Sequence, residues 1–495
     1  MTVRTALILV LPAVLSLAVS QSEAEAQTTS LLHVERTHTG SANGTRLTYR
    51  SIVDEMPLQN AAGETIATIV STSYLRTDVA KDKVRPVLFV FNGGPGSASV
   101  WLQMGLIAPK RVAFSDDTKP ETVPPFALVD NPDTPLDVAD IVLIDPPGTG
   151  YSTVTTGHEA EVYGVDEDAT AVAQFINTWC ARNGRLNAPK YLLGESYGTL
   201  RAARLARKLA GGPMETGHMT GLTLNGILLY GQSMNFAETT DVTYLAALPT
   251  LAATAWYHGL VDKSATTLDK QIADAKAFAK GDYLQTLFLG DTATKDQKDR
   301  VAARIAALTG LSSAYVQSHE LRVSPSDYAK EALASKGLQI GLYDGRFTLP
   351  LAATGSDPVA DDPAMGQYVP GFLAAAADYR RDDLGLETDR EYHAIEFRSI
   401  NARWNYGAGP GVPPNINFAT DLAVAMRRNP ALRVFVGEGA YDLVTTAGMA
   451  DYTVSHSGLD AARVTVRLYP SGHMPYMGAE SRKATAADIR RFISE

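Results

Sequence analysis

At 495 residues the chain exceeds a minimal domain, and its length fits one large core, or two smaller ones, including a catalytic domain that carries an insertion. Hydrophobic residues at 45% and charged residues at 20% exclude a disordered or fibrous chain. The net charge of −10, from 44 basic and 54 acidic residues with no lysine- or arginine-rich run, argues against nucleic acid as a partner.

The chain opens with Arg4, an apolar run over 6–19, and a polar stretch ending in Ala24-Glu25-Ala26 before Gln27. Charged, apolar and small-residue segments in that order predict an export signal over 1–26 and a periplasmic or secreted mature chain. The apolar run is shorter than the roughly 20 residues that cross a bilayer, and no later run is longer, so no membrane anchor is expected after signal removal.

Short alternating stretches over 45–49 and 66–70, separated by glycine and Asn43-Gly44, predict antiparallel strands. Compact apolar runs over 86–91 and 141–144 follow, each ending in a glycine- and proline-rich turn, and read as strands buried on both faces. Helical periodicity over 166–181, a short strand at 191–193 and a helix over 200–210 make the pattern that of an α/β protein with a mainly parallel, doubly wound sheet. Further strands are expected at 226–230, 433–436 and 464–468. Between them, residues 234–402 turn alanine-rich and helical, as in 264–288 and 296–308, which predicts a helical cap inserted into a core of 27–233 and 403–495. Cys180 is the only cysteine, so no intramolecular disulfide forms, and its helical setting makes it a buried, inert thiol.

Gly194-Glu195-Ser196-Tyr197-Gly198 lies between a predicted strand and a predicted helix, the setting in which a G-x-S-x-G sequence forms the nucleophile elbow of the α/β-hydrolase fold. A serine hydroxyl is a poor nucleophile at neutral pH and needs a base, itself oriented by an acid. Among nine histidines, His473 most directly follows a core-strand signal, near the end of the chain where the last loop of such a sheet belongs. Asp442 follows the strand at 433–436 through Gly437-Glu438-Gly439-Ala440 and is the expected acid, with Glu438 as the alternative. Asn92-Gly93-Gly94-Pro95-Gly96 after the strand at 86–91 is a candidate oxyanion loop, with the N–H groups of Gly94 and Tyr197 as donors. Neither H-E-x-x-H nor a cysteine pair occurs, so metal chemistry is not expected.

These motifs, with Asp145-Pro146-Pro147-Gly148-Thr149-Gly150-Tyr151-Ser152, Gly439-Ala440-Tyr441-Asp442 and Gly472-His473-Met474, resemble the serine carboxypeptidase family in order and spacing over nearly the whole mature chain. The resemblance implies a cofactor-free enzyme with a helical cap that removes C-terminal residues from peptides, usually at acidic pH. It also implies that Asn92, Gly93 and Glu195 bind the terminal carboxylate of the substrate. A protonated Glu195 can donate to a carboxylate, whereas an ionised one repels it. Three positions depart from better-studied members. Leu106 stands where a second glutamate is found, Ser97 replaces a cysteine, and Gly472-His473-Met474-Pro475-Tyr476 lacks a residue between Met and Pro. With Leu106 there, Glu195 is expected to titrate as a single site. An esterase or acyltransferase would use the same three residues on another substrate, and a non-catalytic exported binding protein would keep the fold alone.

Overall fold

The computed structural model describes residues 31–80, 84–115, 117–217, 219, 222–237, 240–353, 355–411 and 415–495. The expected export signal over 1–26 lies outside the described residues. Alternation and glycine punctuation produce the expected meander of β1 (His33–Ala42), β2 (Thr45–Gln59) and β3 (Thr65–Arg76), paired antiparallel. Asn43 and Gly44, at φ 47° and 75°, make the two-residue turn between β1 and β2.

The apolar runs become β4 (Val87–Phe91), β5 (Asp140–Asp145), β6 (Lys190–Glu195), β7 (Gly226–Tyr230), β8 (Arg433–Gly439) and β9 (Val464–Tyr469). Together with the meander they form a nine-stranded sheet in the order β1-β2-β3-β5-β4-β6-β7-β8-β9. From β5 to β9 each neighbouring pair is parallel, and β3 joins β5 antiparallel. The edge strand β9 exposes Val466 and Leu468, whereas β4 and β7 are buried throughout.

The longer helices are α1 (Val165–Arg182), α2 (Tyr197–Leu209), α3 (Asp241–Tyr257), α4 (Leu268–Phe278), α5 (Lys295–Thr309), α6 (Met365–Asp378), α7 (Ala419–Arg428), α8 (Ala447–His456) and α9 (Ala479–Ser494). Alternate strand residues feed two cores, one on each face of the sheet. Phe89, Phe91, Ile227, Leu229, Val434 and Val436 meet apolar residues of α1, α2 and α7. Leu88, Val90, Leu228, Tyr230 and Phe435 meet those of α6 and α9. Cys180 is buried among α1 residues of the first core, and burial pushes its thiol up to about 11. This architecture is the α/β-hydrolase type expected from the strand and helix pattern.

Helices α3 to α6 lie between β7 and β8, which are neighbours in the sheet. The Thr294–Gln297 capping box starts α5, and Leu248, Leu251 and Ile305 gather in a third apolar cluster. The segment is also tied to the main core, because Phe372 of α6 packs on Trp101 at 5.4 Å between ring centroids. Among the described residues no helix is long and apolar enough to cross a membrane.

One buried ion pair links the helices to the strand ends. Arg201 of α2 binds Asp168 Oδ2 of α1 at 2.6 Å and donates to the Asn92 carbonyl at 2.6 Å. Its guanidinium also lies near the Phe91 and Tyr197 rings, 5.4 and 5.2 Å from their centroids. Asp168→Ala leaves that cation buried without its counter-charge and is expected to cost about 3–5 kcal/mol. Urea unfolding measures this, and an unchanged midpoint would remove the pair from the account.

Candidate active site

The elbow arises because strand β6 ends at Glu195 and α2 begins at Tyr197, leaving Ser196 to make the turn alone. Ser196 has φ 59° and ψ −129°, a left-handed backbone that strains a residue with a Cβ. It is held there by its own N–H on the Tyr230 carbonyl at 2.9 Å and by Thr199 N on the Ser196 carbonyl at 2.8 Å. Helix α2 therefore starts three residues before the predicted 200, because the strained serine itself is the N-cap. Ser196 is half-buried, while Glu195 and Tyr197 on either side are buried.

His473 and Asp442, the expected base and acid, lie side by side. His473 Nδ1 lies 2.8 Å from Asp442 Oδ2, with both side chains buried. Asp442 Oδ1 accepts from Val444 N and Thr445 N at 2.8 Å each, and the Thr445 hydroxyl donates to Oδ2, so the carboxylate is fully held. Burial alone would lower the His473 pKa, but the Asp442 charge and hydrogen bond outweigh it and the net direction is up. With its Nδ1 proton given to Asp442, the ring keeps Nε2 as an acceptor. A Cβ on Gly231, directly after β7, would stand 3.1 Å from His473 Nδ1. The imidazole thus lies over the end of the strand whose Tyr230 carbonyl holds Ser196. Glu438, the alternative acid, is engaged instead by Gln232 N at 3.0 Å, and burial raises its pKa well above the usual range.

Two features of this pair were missed in the sequence. The strand expected to end at 436 continues as β8 through Gly437-Glu438 to Gly439. The glycine is there for close approach, since a Cβ on Gly439 would meet the Gly472 carbonyl at 1.9 Å, beside His473. The second feature is residues 342–345, from the chain between β7 and β8, which brace both turns through the backbone. His473 N donates to the Tyr343 carbonyl at 2.6 Å, Leu443 N to the Leu342 carbonyl at 2.9 Å, and Gly345 N to the Tyr441 carbonyl at 2.8 Å. Any residue type supplies a carbonyl, so composition carried no sign of this brace.

The glycine loop reaches the elbow through Gly93. A Cβ there would lie 2.4 Å from Tyr197 N and 2.7 Å from the Glu195 carbonyl, so only glycine fits. Gly94 follows at φ 101°. Asp145, first residue of the second motif, accepts from Ser99 N at 2.8 Å and so anchors the segment leaving the loop. Asn92 Nδ2 donates to Glu195 Oε1 at 2.6 Å, while Asn92 Oδ1 accepts from Leu102 N at 3.0 Å. Burial pushes the Glu195 carboxyl up to about 7, against the opposing influence of His473, the Tyr476 hydroxyl and Asn92. Leu106 is fully buried and brings no second carboxyl. The Glu195 carboxyl also interacts electrostatically with both His473 and Asp442. Ser97, in place of a cysteine, accepts from Trp101 Nε1 at 2.9 Å.

A model of the serine carboxypeptidase family matches residues 74–347, more than half of the chain, including the glycine loop, the second motif and the elbow. No curated protein matches the sequence. Among solved structures, KEX1(delta)p, a prohormone-processing carboxypeptidase from Saccharomyces cerevisiae, aligns with a TM-score of 0.55 at 15% identity over 90% of this chain and 91% of that one. A thermostable carboxyl esterase from Bacillus coagulans aligns with a TM-score of 0.36 at 13% identity, over 89% of this chain and 98% of its own. The proline iminopeptidase of Mycobacterium smegmatis aligns with a TM-score of 0.34 at 14% identity, over 93% and 99%. At such identities the KEX1(delta)p likeness speaks for the fold, and the family follows from the matched segment. The chain belongs to the serine carboxypeptidase family and is an enzyme of that type.

Proposed function

We propose that the enzyme releases C-terminal residues from peptides through an acyl-enzyme on Ser196. The observation that carries this reading is the His473–Asp442 pair at 2.8 Å over the end of the strand that holds the strained Ser196, with the buried Glu195 electrostatically linked to the imidazole. His473 Nε2 takes the Ser196 proton as Oγ attacks the scissile carbonyl, and Asp442 stabilises the imidazolium that forms. The N–H groups of Tyr197 and Gly94 hold the oxyanion. The imidazolium gives its proton to the leaving amine, the C-terminal residue departs, and water, activated by the same base, releases the rest of the peptide. Protonated Glu195, the second N–H of the Asn92 amide and Gly93 N–H bind the terminal carboxylate. Residues 234–402 act as the cap that selects side chains. Because 342–345 also brace the Asp442 and His473 turns, removing the whole segment would disturb the base as well as the substrate choice. Export to the periplasm or the medium is part of the same reading.

The mechanism needs Glu195 protonated and His473 neutral at the same time. Glu195 is protonated below about 7 and loses its proton as pH rises through that value, so affinity for a free-acid peptide falls on the alkaline side. His473, with its pKa raised, gains a proton as pH falls and is then useless as a base, so turnover falls on the acid side. The groups facing Glu195 are His473, Asp442 and the Tyr476 and Tyr230 hydroxyls, together with the neutral Asn92 amide. A bell-shaped pH profile of kcat/KM is therefore expected.

Ser196→Ala and His473→Ala are each expected to lower kcat by several orders of magnitude with the fold intact, and Asp442→Asn by about 10⁴-fold. Steady-state kinetics and fluorophosphonate labelling check this. Near wild-type turnover in His473→Ala would take the histidine out of the mechanism.

Glu195→Gln can donate but cannot ionise, so it should flatten the alkaline limb of the pH profile and, by removing a nearby negative charge, move the acid limb lower. A profile identical to wild type would clear Glu195 of the role.

A further inference from the structure

Tyr476 lies three residues beyond His473, in the part of the chain where the spacing departs from the family pattern. Its side chain turns inward and is 1% exposed. One edge of the ring fills a gap in the neighbouring helix, where a Cβ on Gly105 would meet Tyr476 Cε2 at 2.4 Å. That contact directs the hydroxyl toward the Glu195 carboxyl and the Asn92 amide, with both of which it interacts electrostatically.

The polar atoms at this point are unevenly satisfied. Glu195 Oε1 is taken by Asn92 Nδ2 and Asn92 Oδ1 by Leu102 N. Glu195 Oε2 and the Tyr476 hydroxyl, both buried, are each without a hydrogen-bond partner. Buried polar atoms are rarely left so, and a donor beside an acceptor needs only a small side-chain movement to close the bond. Burial holds the Tyr476 hydroxyl far above its ordinary ionisation range, so it stays a donor at every working pH.

We propose that Tyr476 is a positioning residue of the carboxylate-binding site, its hydroxyl donating to Glu195 Oε2 while Asn92 holds Oε1. The inference rests on the reading of Glu195 as the group that recognises the substrate terminus. With Oε1 occupied by an amide donor, the acid proton of Glu195 sits on Oε2. A donor on the remaining lone pair of that oxygen aims the proton toward the substrate instead of letting the carboxyl rotate. The same bond strengthens when Glu195 ionises, so Tyr476 sets the pH at which the site stops accepting free-acid peptides. His473, Asp442 and Tyr230 face the same carboxyl and remain in place when Tyr476 is changed.

Tyr476→Phe keeps the ring on Gly105 and removes only the donor. The alkaline limb of 1/KM for a free-acid peptide should move up by about one pH unit, with kcat and fluorophosphonate labelling of Ser196 nearly unchanged. In a Glu195→Gln background the same change should leave the pH profile flat. A substrate-free measurement accompanies it: the protonated-carboxyl infrared band that Glu195→Gln abolishes should titrate about one unit higher in Tyr476→Phe. A band and a limb that do not move would overturn the proposal, as would a limb that moves equally in the Glu195→Gln background. Equal cleavage of a peptide acid and its amide by the wild-type enzyme would instead overturn the C-terminal reading, and the infrared titration would still decide the role of Tyr476.

Discussion

Two stretches of backbone, Asn92-Gly93 and 194–198, approach each other so closely that no side chain fits between them. A Cβ on Gly93 would stand 2.4 Å from Tyr197 N, and one on Gly198 would stand 2.9 Å from the Phe91 carbonyl. This contact brings the glycine loop to the elbow, sets Asn92 against Glu195 and fixes the start of α2. Arg201 reinforces it from beneath by binding the Asn92 carbonyl while its charge is balanced by Asp168. The strained Ser196 persists because the Tyr230 carbonyl holds its N–H and Thr199 N–H holds its carbonyl. The contact is steric, so it neither weakens with salt nor depends on pH.

On that frame, Glu195 and His473 are electrostatically linked across the site. Each favours the other's charged form, and burial disfavours both charges. In the proposed mechanism the productive state holds one proton between them, on Glu195 with His473 neutral. The alternative arrangement, with His473 charged and Glu195 ionised, has the same proton count and neither base nor carboxylate donor. Apparent ionisation constants read from activity therefore belong to the pair. The balance between the two arrangements is what the burial of Glu195 controls.

Much of this was legible in the sequence because it depends on local chain chemistry. Apolar runs of strand length located β4, β5 and β7, and 226–230 agreed with the observed strand at both ends. The glycine-flanked Ser196 between strand and helix located the elbow, and chain order located Asp442 and His473, which the fold brings to 2.8 Å. What stayed hidden depends on contacts made in space. The brace from Tyr343 and its neighbours uses backbone carbonyls, for which no residue type is a signal. Gly437 and Gly439 resemble turn residues, and only the Tyr230 and Tyr469 rings beside the first and the Gly472 backbone beside the second reveal that they serve packing within a strand. The electrostatic link of Glu195 to His473 joins a strand end to a turn more than 270 residues further along the chain, which spacing in the sequence does not signal.

Mass analysis of an unmodified peptide mixture after digestion tests the central claim most directly. The account predicts ladders of products shortened one residue at a time from the C-terminus, with the N-terminus intact, and none when Ser196 is replaced by alanine. Internal cleavage or shortening from the N-terminus would contradict it, as would ladders that persist in the alanine variant.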